Sequence, residues 1–149
     1  MNTLIAKLSC AAALSAALAV GCHQSEPAAD KSAPAADAKK VPEVTVTDVA
    51  SYVKDKTATI FDANDADTRH EYGVIPGAVL LASHKDYPLT QLPADKADKL
   101  VFYCGGTQCR ASDAAAARAA SAGYSNVAVM REGIRGWKSA GQPTSTPQT

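Results

Sequence analysis

Short apolar runs recur along the chain, separated by polar stretches that carry turn and cap residues. Glu43–Val46 alternates and reads as a strand, with Thr47 and Asp48 as caps for a short helix over Val49–Lys54. Thr59–Asp62 is a second strand that ends on a carboxylate. The polar segment from Asn64 runs into a short helix that finishes near Tyr72. Val74–Gly77 is a turn, Ala78–Leu81 an apolar strand, and Leu89–Leu92 a short helix. The most apolar run, Leu100–Tyr103, predicts the central strand. A helix over Ala111–Ala122 follows, and Gly123 is suited to end it. Asn126–Met130 is the last strand and Gly136–Ala140 a closing helical turn. Strands that alternate with helices and are apolar throughout predict an α/β domain: a mainly parallel sheet covered by helices on both faces. Ligands of such sheets gather at the carboxyl ends of the strands. Asp62, Cys104 and Arg131 all fall there.

The first 42 residues lack this pattern. Residues 1–21 carry a lysine and then an apolar run of small residues, the layout of a secretory signal. Leu18-Ala-Val-Gly-Cys22 resembles the lipobox of bacterial lipoproteins, which implies lipidation of Cys22 and attachment to a membrane by that anchor alone. His23, where an aspartate would retain the protein, suits an outer-membrane lipoprotein in a Gram-negative cell, with the domain in the periplasm. A secreted soluble protein is the alternative. Residues 22–42 are rich in alanine, proline and mixed charge, a composition that cannot bury a core and reads as a tether. The folded domain is expected over 43–143, with a loose tail at 144–149.

Composition narrows the partners. The 149 residues hold 15 basic and 15 acidic side chains, and residues 1–21 account for only Lys7. Such balance offers nothing to nucleic acid. The cysteines of the folded region, Cys104 and Cys109, have no metal-ligand spacing, and His70 and His84 read as solvent-facing.

Chemistry concentrates in Val101-Phe-Tyr-Cys104-Gly-Gly-Thr-Gln-Cys109-Arg110, where a strand ends on a thiol and a glycine-bearing loop leads into a helix. Free N–H groups of Gly105, Gly106, Thr107, Gln108, Cys109 and Arg110, together with the helix dipole, are expected to cradle an anion and lower the pKa of Cys104. Arg110 either binds a substrate anion or pairs with a surface carboxylate. Cys109 either resolves an oxidised or persulfidated Cys104, closes a disulfide with it, or packs. Asp62 reads as a loop-holding carboxylate, and Trp137 and Tyr103 as core.

These motifs resemble, in order, those of a single rhodanese-like domain. Phe61-Asp62, then Glu71-Tyr-Gly-Val-Ile-Pro-Gly-Ala78, is similar to that family's aspartate and Ile-Pro-Gly-Ala signature. The Cys104 loop is similar to its active-site element, and Glu132-Gly-Ile-Arg-Gly-Trp137 to its closing segment. The resemblance implies a sulfurtransferase that uses no cofactor. Sulfane sulfur would pass through a Cys104 persulfide from a thiosulfate-like donor to a thiol or cyanide. Asn64, Val74 and Glu132 depart from the family pattern, and the arginine stands one position late. Cys-x5-Arg is the spacing of rhodanese-fold phosphatases and arsenate reductases. A thiol redox protein using both cysteines, and a non-catalytic binding module, are the other readings left open.

Overall fold

The computed structural model describes residues 40–147. The expected signal peptide, the lipidated Cys22 and nearly all of the tether lie outside the described residues. Five strands, β1 (Glu43–Val44), β2 (Thr59–Asp62), β3 (Val79–Leu80), β4 (Leu100–Tyr103) and β5 (Val127–Met130), form one sheet in the order β1-β5-β4-β2-β3. Every pairing in it is parallel. Among the described residues, α1 (Val46–Asp55), α2 (Ala66–Tyr72) and α3 (Ala111–Ser121) lie between strands, α4 (Gly133–Ser139) follows β5, and a 3-10 turn covers Leu89–Gln91.

Strands buried on both faces explain why the central runs are apolar without a break. Phe61, Leu100, Phe102, Val127 and Val129 face one side with Ala115, Ala116 and Ala119 of α3. Ile60, Val101, Tyr103, Ala128 and Met130 face the other with Val49 of α1 and with Ile134 and Trp137 of α4. The alanines let α3 lie close to the sheet. Tyr87 closes that layer, its hydroxyl donating to the Ala115 carbonyl at 2.8 Å and its ring lying under the Arg118 guanidinium at 5.4 Å. Burial pushes the Tyr87 phenol up to about 12.

Several boundaries differ from the sequence expectation. The first strand is two residues long, because Thr45 leaves it to cap α1. Its side chain takes the Asp48 N–H at 3.2 Å, and Asp48 Oδ2 accepts the Thr45 N–H at 2.9 Å. Asp48 is thus the third residue of the helix and not its cap, and α1 starts three residues earlier than expected. The β3 strand is likewise two residues, not four. The last helix begins at Gly133 rather than Gly136, since Gly133 adopts φ +62° and turns the chain into it directly after β5. The tail expected to be loose is held as far as Ser145, which exchanges two backbone hydrogen bonds with Val74, both 2.9 Å. Pro143 accepts the Trp137 indole N–H at 2.7 Å, so the buried tryptophan fastens α4 and the tail together.

Candidate functional site

The order β5-β4-β2 brings the segments that leave these three strands to one edge of the sheet. A cavity of about 750 Å³ opens between them. Its walls are residues 63–65 after β2, residues 105–109 after β4, and Glu132, Arg135 and Gly136 at the start of α4.

The floor under the β2 exit is a buried polar clamp. Asp62, fully buried, accepts the Asn64 N–H at 2.7 Å and Arg69 Nε at 3.2 Å on Oδ1, and the Tyr103 hydroxyl at 2.5 Å on Oδ2. Arg69 Nη2 donates to the carbonyls of Asp62 and Leu81, tying β2 to the exit of β3. The Tyr103 oxygen accepts the Ile75 N–H at 3.1 Å. Burial first, then the neighbouring Asp62 charge, keeps the Tyr103 phenol protonated far above its usual range. Asp62 therefore holds the ends of three strands in register and does not line the cavity.

The Cys104 loop is pinned from behind by α4. Ile134 N–H donates to the Cys104 carbonyl at 2.8 Å and Arg135 N–H to the Gly105 carbonyl at 3.3 Å. Gly133 permits this approach. A methyl group there would stand 2.3 Å from the Cys104 oxygen and 2.5 Å from the Gly106 nitrogen.

Both cysteines are free thiols, and their surroundings reverse the sequence expectation. Cys104 is 2% exposed, and Cys109 packs against the core cluster that holds it while lining the cavity wall. Burial pushes the Cys104 thiol up, as does the neighbouring Cys109 thiol; Ser112 opposes this with its N–H and with Oγ at 3.2 Å from the sulfur. Cys109 is shifted the other way. Burial raises it, but the Cys104 thiol and the N–H groups of Ala111 and Gly105 point at its sulfur, and the net direction is down. The expected lowering of the Cys104 pKa is thus wrong: one cradle amide, that of Gly105, serves Cys109 together with that of Ala111. The Cys109 amide itself leaves the cradle, donating to the Gly106 carbonyl at 2.9 Å. The N–H groups of Gly106, Thr107, Gln108 and Arg110 make no backbone hydrogen bond among the described residues.

The Arg110 side chain is 78% exposed and pairs with Asp113 at 3.1 Å, outside the cavity. Asp113 also takes Arg131 at 2.7 Å, so Arg131 serves a surface ion-pair network. The cation at the cavity is Arg135, stacked over the Tyr72 ring at 4.9 Å. Sequence reasoning missed it, although its place just past β5, at a strand exit, was the available signal. His84 was read as solvent-facing and is half-buried at the cavity wall; His70 is exposed on α2. Asn64, buried at the wall, keeps an unpartnered Nδ2.

A parallel α/β sheet that sets a thiol loop and a helix amino terminus over its central strand defines a cysteine-loop domain. The rhodanese-like domain family model matches residues 45–140, and the chain belongs to that family. No curated protein matches it significantly in sequence. Among solved structures it is similar to a thiosulfate sulfurtransferase from Pseudomonas aeruginosa, with 24% identity and a TM-score of 0.62, covering 73% of this chain and 21% of that one. It is also similar to a protein of unknown function from Rhodopseudomonas palustris described as a possible tyrosine phosphatase, with 24% identity and a TM-score of 0.59, covering 70% and 85%. A human single-domain sulfurtransferase matches at 22% identity and TM-score 0.53, covering 66% and 96%. These likenesses establish the fold.

Proposed function

We propose that the chain is a sulfurtransferase that carries sulfane sulfur as a persulfide on Cys104. The observation behind this reading is the position of Cys104 at the exit of the central strand, beneath the loop and in contact with the first turn of α3 through Ser112. A persulfide is more acidic than its parent thiol and needs its charge stabilised. The unpaired N–H groups of the loop and helix offer that stabilisation. Family membership supports the same chemistry. The donor, a thiosulfate-like molecule, enters the cavity with its anionic end toward Arg135 and reaches Cys104 once Cys109 moves aside; the acceptor is a thiol or cyanide.

The arrangement does not favour phosphoryl transfer. That chemistry needs the arginine of Cys-x5-Arg turned into the loop, and here it turns out to Asp113. The test is a side-by-side assay of the reduced chain on thiosulfate with cyanide and on an aryl phosphate. Thiocyanate production by the wild type and none by Cys104→Ser supports the reading. Equal thiocyanate production by the Cys104→Ser chain, or turnover of the phosphate alone, overturns it.

We propose further, from the lipobox-like residues before Cys22, that the domain works in the cell envelope on a lipid anchor. Detergent-phase partition that survives Cys22→Ser would refute this.

A further inference from the structure

The cavity does not reach the sulfur that carries the proposed chemistry. Cys109 stands between the two: it lines the cavity, while Cys104 beneath it is 2% exposed. Cys109 packs against the core cluster that contains Cys104, and both are free thiols. The neighbouring Gly105 and Ala111 amides help lower the Cys109 thiol below its ordinary value. Those amides stabilise a thiolate.

We infer that Cys109 is a resolving thiol, which attacks a persulfide on Cys104 and releases its outer sulfur into the cavity as hydrosulfide. This rests on the sulfur-transfer reading of the site and names a further product and partner for it. In the step, the Cys109 thiolate bonds to the Cys104 sulfur. The persulfide reacts in its protonated form: the bond between that sulfur and the outer one breaks, and the outer sulfur keeps its proton and departs with the electron pair as HS⁻. The sulfane sulfur gains two electrons, and the two cysteines together lose two as they become a disulfide. No outside oxidant enters. To act again the site requires a dithiol, which exchanges with the disulfide through the accessible Cys109 and leaves oxidised.

Two carbon-bound or terminal sulfurs compete as leaving groups, and the weaker base leaves faster. Attack on the outer sulfur would expel the Cys104 thiolate from a buried site that disfavours its charge. Attack on the inner sulfur expels hydrosulfide, a weaker base, into an open cavity. Cys109 packs against the core cluster that holds Cys104, which sets the nucleophile on the side of the inner sulfur.

The experiment loads the reduced full-length chain and its Cys109→Ser variant with thiosulfate, removes the donor, and measures intact mass and released hydrosulfide. The Cys109→Ser chain is expected to hold a stable gain of about 32 Da and to release nothing until a thiol is added. The wild type is expected to release one hydrosulfide per chain without added thiol and to end about 2 Da lighter than its reduced form. A wild type that keeps the added sulfur as stably as the variant overturns the resolving role and leaves sulfur transfer standing. A Cys109→Ser chain that never gains sulfur overturns the sulfur-transfer reading itself.

Discussion

Replacing Gly133 by alanine probes the hinge between the sheet and the thiol loop. The residue sits at φ +62°, where a side chain costs about 1–2 kcal/mol. The added Cβ would also meet three backbone atoms, the Cys104 oxygen at 2.3 Å, the Gly106 nitrogen at 2.5 Å and the Gly105 carbonyl carbon at 2.8 Å. No flexible side chain can yield there, so the loop or α4 must shift. Either movement breaks the hydrogen bonds from Ile134 and Arg135 to the Cys104 and Gly105 carbonyls, each worth about 1 kcal/mol. The sum is about 3–4 kcal/mol, or a fall in melting temperature of about 12–16 °C for a domain of this size. Thermal unfolding followed by circular dichroism measures the first effect. Sulfur loading of Cys104 below the transition measures the second, and it should be lost even where the fold persists. A Gly133→Ala chain that melts with the wild type and loads sulfur normally would show that α4 does not pin the loop.

Tyr103→Phe removes the hydroxyl that bonds buried Asp62 and accepts the Ile75 N–H; it should cost about 2–4 kcal/mol, read as a lower urea midpoint at unchanged slope. An unchanged midpoint would mean that this clamp contributes nothing. Arg110→Ala breaks only a solvent-exposed pair and should leave KM for thiosulfate within about twofold of wild type, whereas Arg135→Ala should raise it by about tenfold. The opposite ranking would return Arg110 to the site. Alkylation should modify Cys109 before Cys104. Because the Cys109 pKa is lowered, its rate should climb to a plateau at a pH below that of an ordinary cysteine. Cys104→Ala withdraws one of the donors that hold the thiolate and should move that plateau to higher pH; faster alkylation of Cys104 would contradict the assignment.

The elements that the chain pattern reveals are those buried on both faces. Thr59–Asp62, Leu100–Tyr103 and Val127–Met130 advertise themselves because every position in them, half-buried Thr59 apart, is apolar or held in a buried network. Edge strands of two residues have too few positions to show a period, so the limits of β1 and β3 escaped. Cys104 was legible as the residue between strand, loop and helix, and strand-end placement pointed to the correct edge of the sheet. The direction of its pKa was not legible. That depends on which sulfur the amides of Gly105 and Ala111 face, and a one-dimensional pattern carries no information on loop curvature. Arg110 misled for a related reason: Asp113, one turn on, and Arg131, after β5, form an ion-pair network that draws it away from the cavity. Asn64 and Glu132 stood out in the sequence as departures from the family pattern, and both line the cavity.

Peptide mapping of the Cys109→Ser chain after one exposure to thiosulfate tests the central claim most directly, since the loop of that chain holds no second thiol to resolve the adduct. The account predicts a gain of about 32 Da on the peptide that contains Cys104, reversed by cyanide with release of thiocyanate. Sulfur found on any other peptide, or none on this one while the protein is folded, would contradict it.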